Sequence, residues 1–234
     1  MLTSSGNKIN FDTLAKTYDS WYKTEKGSYL DKLEKKAVLK LAQPKAGEKA
    51  LDVGCGTGNY TYLLANSGLN VTGIDSSEEM IRNAVKKMRG NCKVKFILDK
   101  AELLSFGNDE FDLVLAIAAL EFIRDPISAI DEMFRVLKTN GRLVLGFFNK
   151  YSLWSLLRRI RGIFSDSIYN QAQFYSLNEM KHWLGRYGEV EILAVPLLPQ
   201  RFQFGSIIWS NPLWKKLCGF LVMKAENQLG IIEP

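Results

Sequence analysis

Residues 52–58 read Asp52-Val53-Gly54-Cys55-Gly56-Thr57-Gly58, and Asp75 follows Gly54 by 21 positions. Glycines at this spacing let a backbone turn tightly and approach a ligand with no Cβ in the way. A helix opening directly behind them aims its first amides at the same place, which favours a carboxylate or a phosphate. An acid at the end of the following strand can accept hydrogen bonds from a ribose diol. The pattern therefore predicts a nucleoside site. It is not the dinucleotide fingerprint, because the last glycine of G-x-G-x-x-G would fall on Asn59. No Gly-Lys-Ser/Thr follows the glycines, which excludes a P-loop. Asp52 adds an acid able to orient the loop and to receive an ammonium, directly or through water. An adenosine that carries an amino acid is S-adenosylmethionine. The competing reading is that the glycines serve only a tight strand-to-helix turn.

The elements that must position these residues alternate. Lys49–Val53, Asn70–Asp75, Val94–Leu98, Phe111–Ile117 and Gly141–Phe148 read as strands. Tyr60, Leu63 and Leu64 mark a helix after the first strand, stopped by Gly68. Ser76 and Glu79 match a capping box opening the next helix. Pro126 starts another, with Asn140-Gly141 expected to end it in a left-handed cap. This alternation predicts an α/β fold with a doubly wound, mostly parallel sheet. Residues 188–196 and 201–209 look like two final strands, after a helix that opens at a Ser176…Glu179 capping box. One domain over 1–234 accommodates this: a helical cap (1–48), a core (49–148), a lid insertion (149–175) and a C-terminal helix with strands (176–234).

Leu51-Asp52-Val53-Gly54-Cys55-Gly56-Thr57-Gly58 resembles the first motif of the class I S-adenosylmethionine-dependent methyltransferases. The likeness extends through Asp75, Phe111-Asp112-Leu113-Val114 and the run from Arg135 to Arg142, and is closest to the bacterial branch of ubiquinone and menaquinone methylases. It implies a Rossmann-like sheet of about seven strands with the last antiparallel. It also implies cofactor contacts at Tyr18, Asp52, Gly54, Cys55, Gly56, Gly58, Asp75, Ser76, Lys100, Ala101, Glu102 and Ala116. Tyr18 would close over the methionine end, or else simply pack an N-terminal helix. The family often has Asp-Ala-Glu after the third strand, whereas this chain reads Asp99-Lys100-Ala101-Glu102, so either Asp99 shifts in by one residue or Glu102 takes over.

Methyl transfer from a sulfonium needs alignment and desolvation, and a weak nucleophile also needs a base. The loop after the fourth strand carries Glu121, where many oxygen methylases have histidine. Glu121 is a candidate base; its alternative role is to fix the loop or the methionine portion of the ligand. His182 lies off the apolar stripe Leu177, Met180, Leu184, Tyr187 of its helix and is expected at the surface. In 149–164, Trp154, Leu157, Ile160 and Phe164 share one helical face, with arginines toward the end. That segment reads as a lid over a partly hydrophobic acceptor, as a packed cap helix, or as a helix in peripheral contact with a membrane.

Composition narrows the partners. Hydrophobic residues are 47% and charged residues 24% of 234, as in an ordinary globular chain. The net charge of +6 is carried by scattered basic pairs, not by a dense run, which argues against nucleic acid as substrate. Three cysteines without a C-x-x-C pair and a lone histidine predict no metal site and fit a reducing compartment. No apolar leader or membrane-length stretch is legible, so the expected location is the cytoplasm. The leading expectation is methylation of a small, partly hydrophobic molecule. The alternatives are a quinone or lipid methylase at a membrane surface, an RNA methylase, or a cofactor-binding module without catalysis. Oligomeric state is not legible.

Overall fold

Lys49–Val53 (β1), Asn70–Asp75 (β2), Val94–Leu98 (β3) and Phe111–Ile117 (β4) form strands where β-branched and apolar residues run between turn signals. Leu137–Phe148 (β5), Val190–Val195 (β6) and Phe220–Glu226 (β7) complete a sheet in the order β3-β2-β1-β4-β5-β7-β6. The computed structural model describes residues 11–15, 18–89, 93–152, 155–156, 172–195 and 218–228. Strands β1 to β5 pair in parallel, while β7 runs antiparallel to both β5 and β6. The strand order reverses between β1 and β4, which opens a crevice at their carboxyl ends.

Helices cover both faces. Glu25–Ala42 (α3) and Asn59–Asn66 (α4) follow the short helices Phe11–Leu14 (α1) and Tyr18–Tyr22 (α2). Glu78–Lys86 (α5), Pro126–Arg135 (α6) and Leu177–Leu184 (α7) complete the set among the described residues. Ala37, Val38 and Leu41 of α3 and Leu64 of α4 pack on Leu113 and Leu115 of β4. Ile130 and Met133 of α6 and Met180 and Leu184 of α7 pack on Val114 and Leu145 from the other side. With both faces covered, β4 and β7 are apolar almost throughout, as a buried sheet requires.

Polar residues of the family-like run hold this frame. Arg135 donates to Glu132, to the Phe106 and Leu104 carbonyls and to Asn108, fastening the β3–β4 connection to α6. Arg142 bonds both Glu48 oxygens (2.9 and 2.7 Å) and the Ala42 and Gln43 carbonyls, tying the end of α3 to the start of β1. Lys138 reaches Asp112 at 2.7 Å, and Asp112 also accepts from Lys49 N.

Two local expectations are corrected. Ser77, not Ser76, caps α5, its hydroxyl accepting from Met80 N at 3.2 Å. Helix α6 ends at Arg135, so Asn140 (φ 63°) does not cap it. Asn140 instead turns an irregularity in β5, where the register against β4 jumps from Phe111↔Leu137 to Leu113↔Arg142. The seventh strand is 220–226, a stretch whose apolar run has no alternation to mark it as a strand; 201–209 lies outside the described residues. The Ser176 capping box is present in full, with Glu179 accepting from Ser176 N at 2.7 Å. His182 is exposed. Trp154, Leu157, Ile160 and Phe164 of the lid expectation lie outside the described residues. No helix among the described residues is long and apolar enough to cross a membrane.

Candidate functional site

The glycine loop begins where β1 stops. Gly54 takes φ 69°, and a Cβ there would sit 2.5 Å from the Ala119 Cβ, so the loops after β1 and β4 meet across the crevice only because residue 54 is glycine. Cys55 N donates to the Ile74 carbonyl (2.8 Å), and Gly56 N donates to Asp75 Oδ2 (2.8 Å). The other Asp75 oxygen accepts from Ser77 N at 2.9 Å. Each carboxylate oxygen keeps a further lone pair, so Asp75 can brace the loop and still accept from a diol. Burial raises its pKa above the ordinary aspartate value, and the backbone hydrogen bonds oppose that shift.

Asp52 sits beneath the loop, 2% exposed, with Oδ2 accepting from the Thr61 hydroxyl at 2.6 Å. Burial pushes its carboxyl up to about 7; the Thr61 hydrogen bond opposes this and the neighbouring Asp75 charge adds to it. A cation arriving here would favour the ionised form. The Gly56 side of the loop is open, since a Cβ there would meet nothing closer than Tyr18 Cε1 at 3.9 Å. Two acids flanking an open glycine cradle suit a diol at one end and an ammonium at the other, the donor and acceptor set of S-adenosylmethionine.

A cavity of about 430 Å³ joins these residues, within the range of small-molecule sites. Tyr18, Asp52, Gly54, Cys55, Gly56, Asp75, Ser76, Ala101 and Glu102 line it, as expected from the sequence, and Asp99 does too. Asp99 accepts from Lys100 N (2.8 Å) and Ser105 N (3.0 Å), shaping its own loop, while Lys100 is exposed and does not line the cavity. Three other candidates also fall outside the lining. Gly58 (φ 85°) caps α4, and a Cβ there would press on Phe96 Cζ at 2.9 Å and Tyr62 Cε2 at 3.0 Å, so its glycine serves packing. Ala116 is a core residue of β4, 1% exposed. Glu121 is 1% exposed, with Oε1 accepting from Phe148 N at 2.7 Å and Oε2 without a partner among the described residues. Burial pushes Glu121 up to about 7. Its bond ties the loop after β4 to the end of β5, which fits the loop-fixing role and not that of a base in contact with substrate.

The N-terminal helices roof the cavity through Phe11, Leu14, Tyr18, Trp21 and Tyr22, and α3 contributes Lys26, Leu30 and Glu34. Acids dock this roof. Asp12 accepts from the Ser77 hydroxyl (2.5 Å) and Glu79 N (3.3 Å) at the start of α5, where the helix dipole favours a negative charge. Asp19 accepts from the Thr57 hydroxyl (2.7 Å) and Lys87 Nζ (2.9 Å). Asp12→Ala is expected to raise amide exchange across 11–22 and to weaken binding of S-adenosylhomocysteine by a factor of about 3–10, the worth of one modest contact. Exchange and affinity equal to wild type would show that α1 does not help close the cavity.

Glu34, Asn59, Tyr60 and Trp21 line the cavity as well but were not among the site residues expected from the sequence. A signal for Glu34 existed: it falls on the buried stripe Leu30, Ala37, Val38, Leu41 of α3, where an acid is out of place. The others depend on which helix faces which loop, and local pattern is silent on that.

Comparison with known proteins bears on this arrangement. A family described as "Methyltransferase domain" matches residues 51–145. A demethylmenaquinone methyltransferase of Tropheryma whipplei (strain Twist) is 30% identical over 194 residues, covering 78% of this chain and 75% of that protein. A demethylmenaquinone methyltransferase of Clavibacter sepedonicus is 36% identical over 119 residues, 51% of this chain and 49% of the relative, so the match spans about half of that relative's length. A SAM-dependent methyltransferase of Thermotoga maritima has the same fold, with a TM-score of 0.69 at 19% identity over 93% of this chain and 98% of its own.

Proposed function

Because this chain belongs to the class I S-adenosylmethionine-dependent methyltransferases of the quinone-methylase type, we propose that it methylates a small, partly hydrophobic acceptor bearing a hydroxylated ring. The observation that carries this reading is one continuous cavity with two characters. Toward β1, β2 and β3 it is lined by Asp52, Gly54, Gly56, Asp75 and Glu102. Toward β4, β5 and the roof it is lined by Phe11, Trp21, Leu30, Ile117 and Phe148, which offer apolar and aromatic surface.

When bound, S-adenosylmethionine supplies an activated methyl group on a sulfonium. The chain's own residues supply position and dryness. Asp75 and the Gly54–Gly56 backbone orient the nucleoside, and Asp52 beneath them offers its carboxyl to the ammonium. Tyr18, Trp21 and Phe148 exclude water from the space between donor and acceptor, which strengthens the electrostatic contacts there. The match to demethylmenaquinone methyltransferases points to a reduced quinone ring in particular.

The test is release of S-adenosylhomocysteine across a panel of phenols, reduced quinones, thiols, amines and carboxylates. Turnover concentrated on phenols and reduced quinones is expected. Turnover confined to amines or thiols would overturn the acceptor class, and cofactor binding with no turnover on any acceptor would favour a non-catalytic module. Co-sedimentation with liposomes of anionic lipid separates an acceptor taken from a membrane surface from a free metabolite.

A further inference from the structure

We propose that Glu34 and Tyr60 form the seat for a hydroxyl group of the methyl acceptor, with Glu34 taking that hydroxyl's proton. The inference rests on the methyl-donor reading above. Glu34 (α3) and Tyr60 (α4) line the same cavity as the glycine loop, beside Leu30, Trp21 and Phe148. Neither has a hydrogen-bond or ion-pair partner among the described residues, and the Tyr60 hydroxyl is fully buried. A buried hydroxyl without a partner is costly, so the Tyr60 hydroxyl, in one cavity with the unpaired, half-buried Glu34 carboxyl, points to what the ligand must offer.

The charged and titratable groups around Glu34 are few. Asp31 and Lys35 come from its own helix, Tyr18 and Tyr22 from α2, Tyr60 from α4, and Glu121 from the loop after β4. Lys35 is committed to Asp31 at 2.7 Å, and Tyr22 donates to the Tyr18 hydroxyl at 3.3 Å. With no cation paired to it, burial pushes Glu34 up to about 8, and the Asp31 charge adds to the shift. That places its proton affinity where a general base for a phenol or enol is useful near neutral pH.

The pair also discriminates between ligand groups. A hydroxyl donates one hydrogen bond and accepts others, so it can give its proton toward Glu34 and accept from Tyr60. An ammonium would serve Glu34 but leave the Tyr60 donor unmet, because it has no acceptor. In the reaction, the O–H bond of the acceptor breaks and its proton passes to a Glu34 carboxylate oxygen. The electron pair so released supports the new bond from the acceptor to the methyl carbon, and the carbon–sulfur pair stays on sulfur as S-adenosylhomocysteine leaves. Charge balances: sulfonium and carboxylate become thioether and carboxylic acid.

The probes are 1-naphthol and 1-methoxynaphthalene, which lacks the hydroxyl, titrated into the full chain with and without S-adenosylhomocysteine. At about pH 8.5, where the Glu34 carboxyl is mostly ionised, wild type is expected to prefer the naphthol by about tenfold or more, the worth of a hydrogen bond to a charged group. Glu34→Gln is expected to abolish most of that preference and Tyr60→Phe to reduce it a few-fold. Binding of S-adenosylhomocysteine should stay within about threefold in both variants, and thermal melts confirm that both are folded. No preference in wild type, or an unchanged preference in both variants, overturns the proposal. So does a large loss of S-adenosylhomocysteine affinity in a folded Glu34→Gln protein, which would place Glu34 at the donor's ammonium. If wild type binds no S-adenosylhomocysteine yet shows the preference through Glu34, the donor reading fails and the hydroxyl seat stands. Should Glu34→Gln not fold, Tyr60→Phe supplies the same comparison.

Discussion

Asp75→Ala is expected to weaken S-adenosylhomocysteine binding by about 100-fold or more while leaving the protein folded. The carboxylate accepts from Gly56 N at 2.8 Å and from Ser77 N at 2.9 Å, so it braces the glycine loop against the start of α5. It also retains the lone pairs that would receive a ribose diol. Hydrogen bonds to a charged group are worth about 1.5–3 kcal/mol each, and every 1.4 kcal/mol is tenfold in affinity, so losing two ligand bonds accounts for the two orders of magnitude or more. Asp75→Asn keeps the shape and one acceptor oxygen, and a smaller loss of about tenfold is expected. Isothermal titration of both variants measures this directly. Affinity of Asp75→Ala within a few-fold of wild type would mean that the nucleoside does not sit against β2.

The ligand-free protein is expected to lose stability as pH rises from 5 to 8.5, and Asp52→Asn is expected to remove part of that loss. Burial raises Asp52 to about 7, Glu121 to about 7 and Glu34 to about 8. For a raised acid, the folded state holds its proton more tightly than the unfolded chain does. Its favourable contribution is therefore complete below the ordinary carboxylate range and is lost as pH climbs through the raised value. The window here runs from about 4 to about 8. For Asp52 alone the linkage is on the order of 3 kcal/mol, or roughly 5–10 °C in Tm for a chain of this size.

Asp52→Asn keeps an oxygen for the Thr61 hydroxyl, so its Tm should exceed wild type at pH 8.5 and match it near pH 5. The same substitution should weaken binding of S-adenosylmethionine, since an ammonium prefers the ionised carboxylate. Wild-type affinity should rise from pH 6 to 8, and in the variant this rise should flatten. Melting curves at several pH values, paired with cofactor titrations, test both halves. A flat wild-type Tm across pH 5–8.5 would sink the claim that these acids are held protonated. The predicted fall in Tm together with the predicted rise in affinity would mean that residue 52 trades stability of the empty protein for grip on the donor.

Much of the frame could be read from the chain. The strands at 49–53, 70–75, 94–98 and 111–117 were legible to the residue, because each is an apolar run closed by glycine, aspartate or a turn. The Ser176 capping box was equally plain. Errors arose where two signals competed. Ser76 has an acid three residues on, Glu79, and so matches the capping-box pattern, whereas Ser77 has Met80 there; the backbone leaving β2 nevertheless makes Ser77 the cap of α5. Asn140-Gly141 carries a left-handed signal that a helix end and a strand irregularity share.

Within the site, the glycines and Asp75 announced themselves because they act through the backbone and through a fixed spacing along one β-α-β unit. Gly58 and Ala116 belong to the same run but face packing instead of the cavity, a distinction made by neighbours distant in sequence. Glu121 drew attention as an acid in the loop after β4, yet one of its oxygens is taken by Phe148 N from another strand. Glu34 drew none, although it stands on the apolar stripe of α3.

The sequence by itself determined the alternating sheet and the nucleoside loop, since short-range spacing decides where a strand ends, where a helix begins and which backbone can turn without a Cβ. Only the tertiary structure decided which side chains share the cavity. Helix α3, the loop after β4 and the end of β5 meet there through long-range packing, and burial by that packing raises the acids of Asp52, Glu34 and Glu121 toward neutrality.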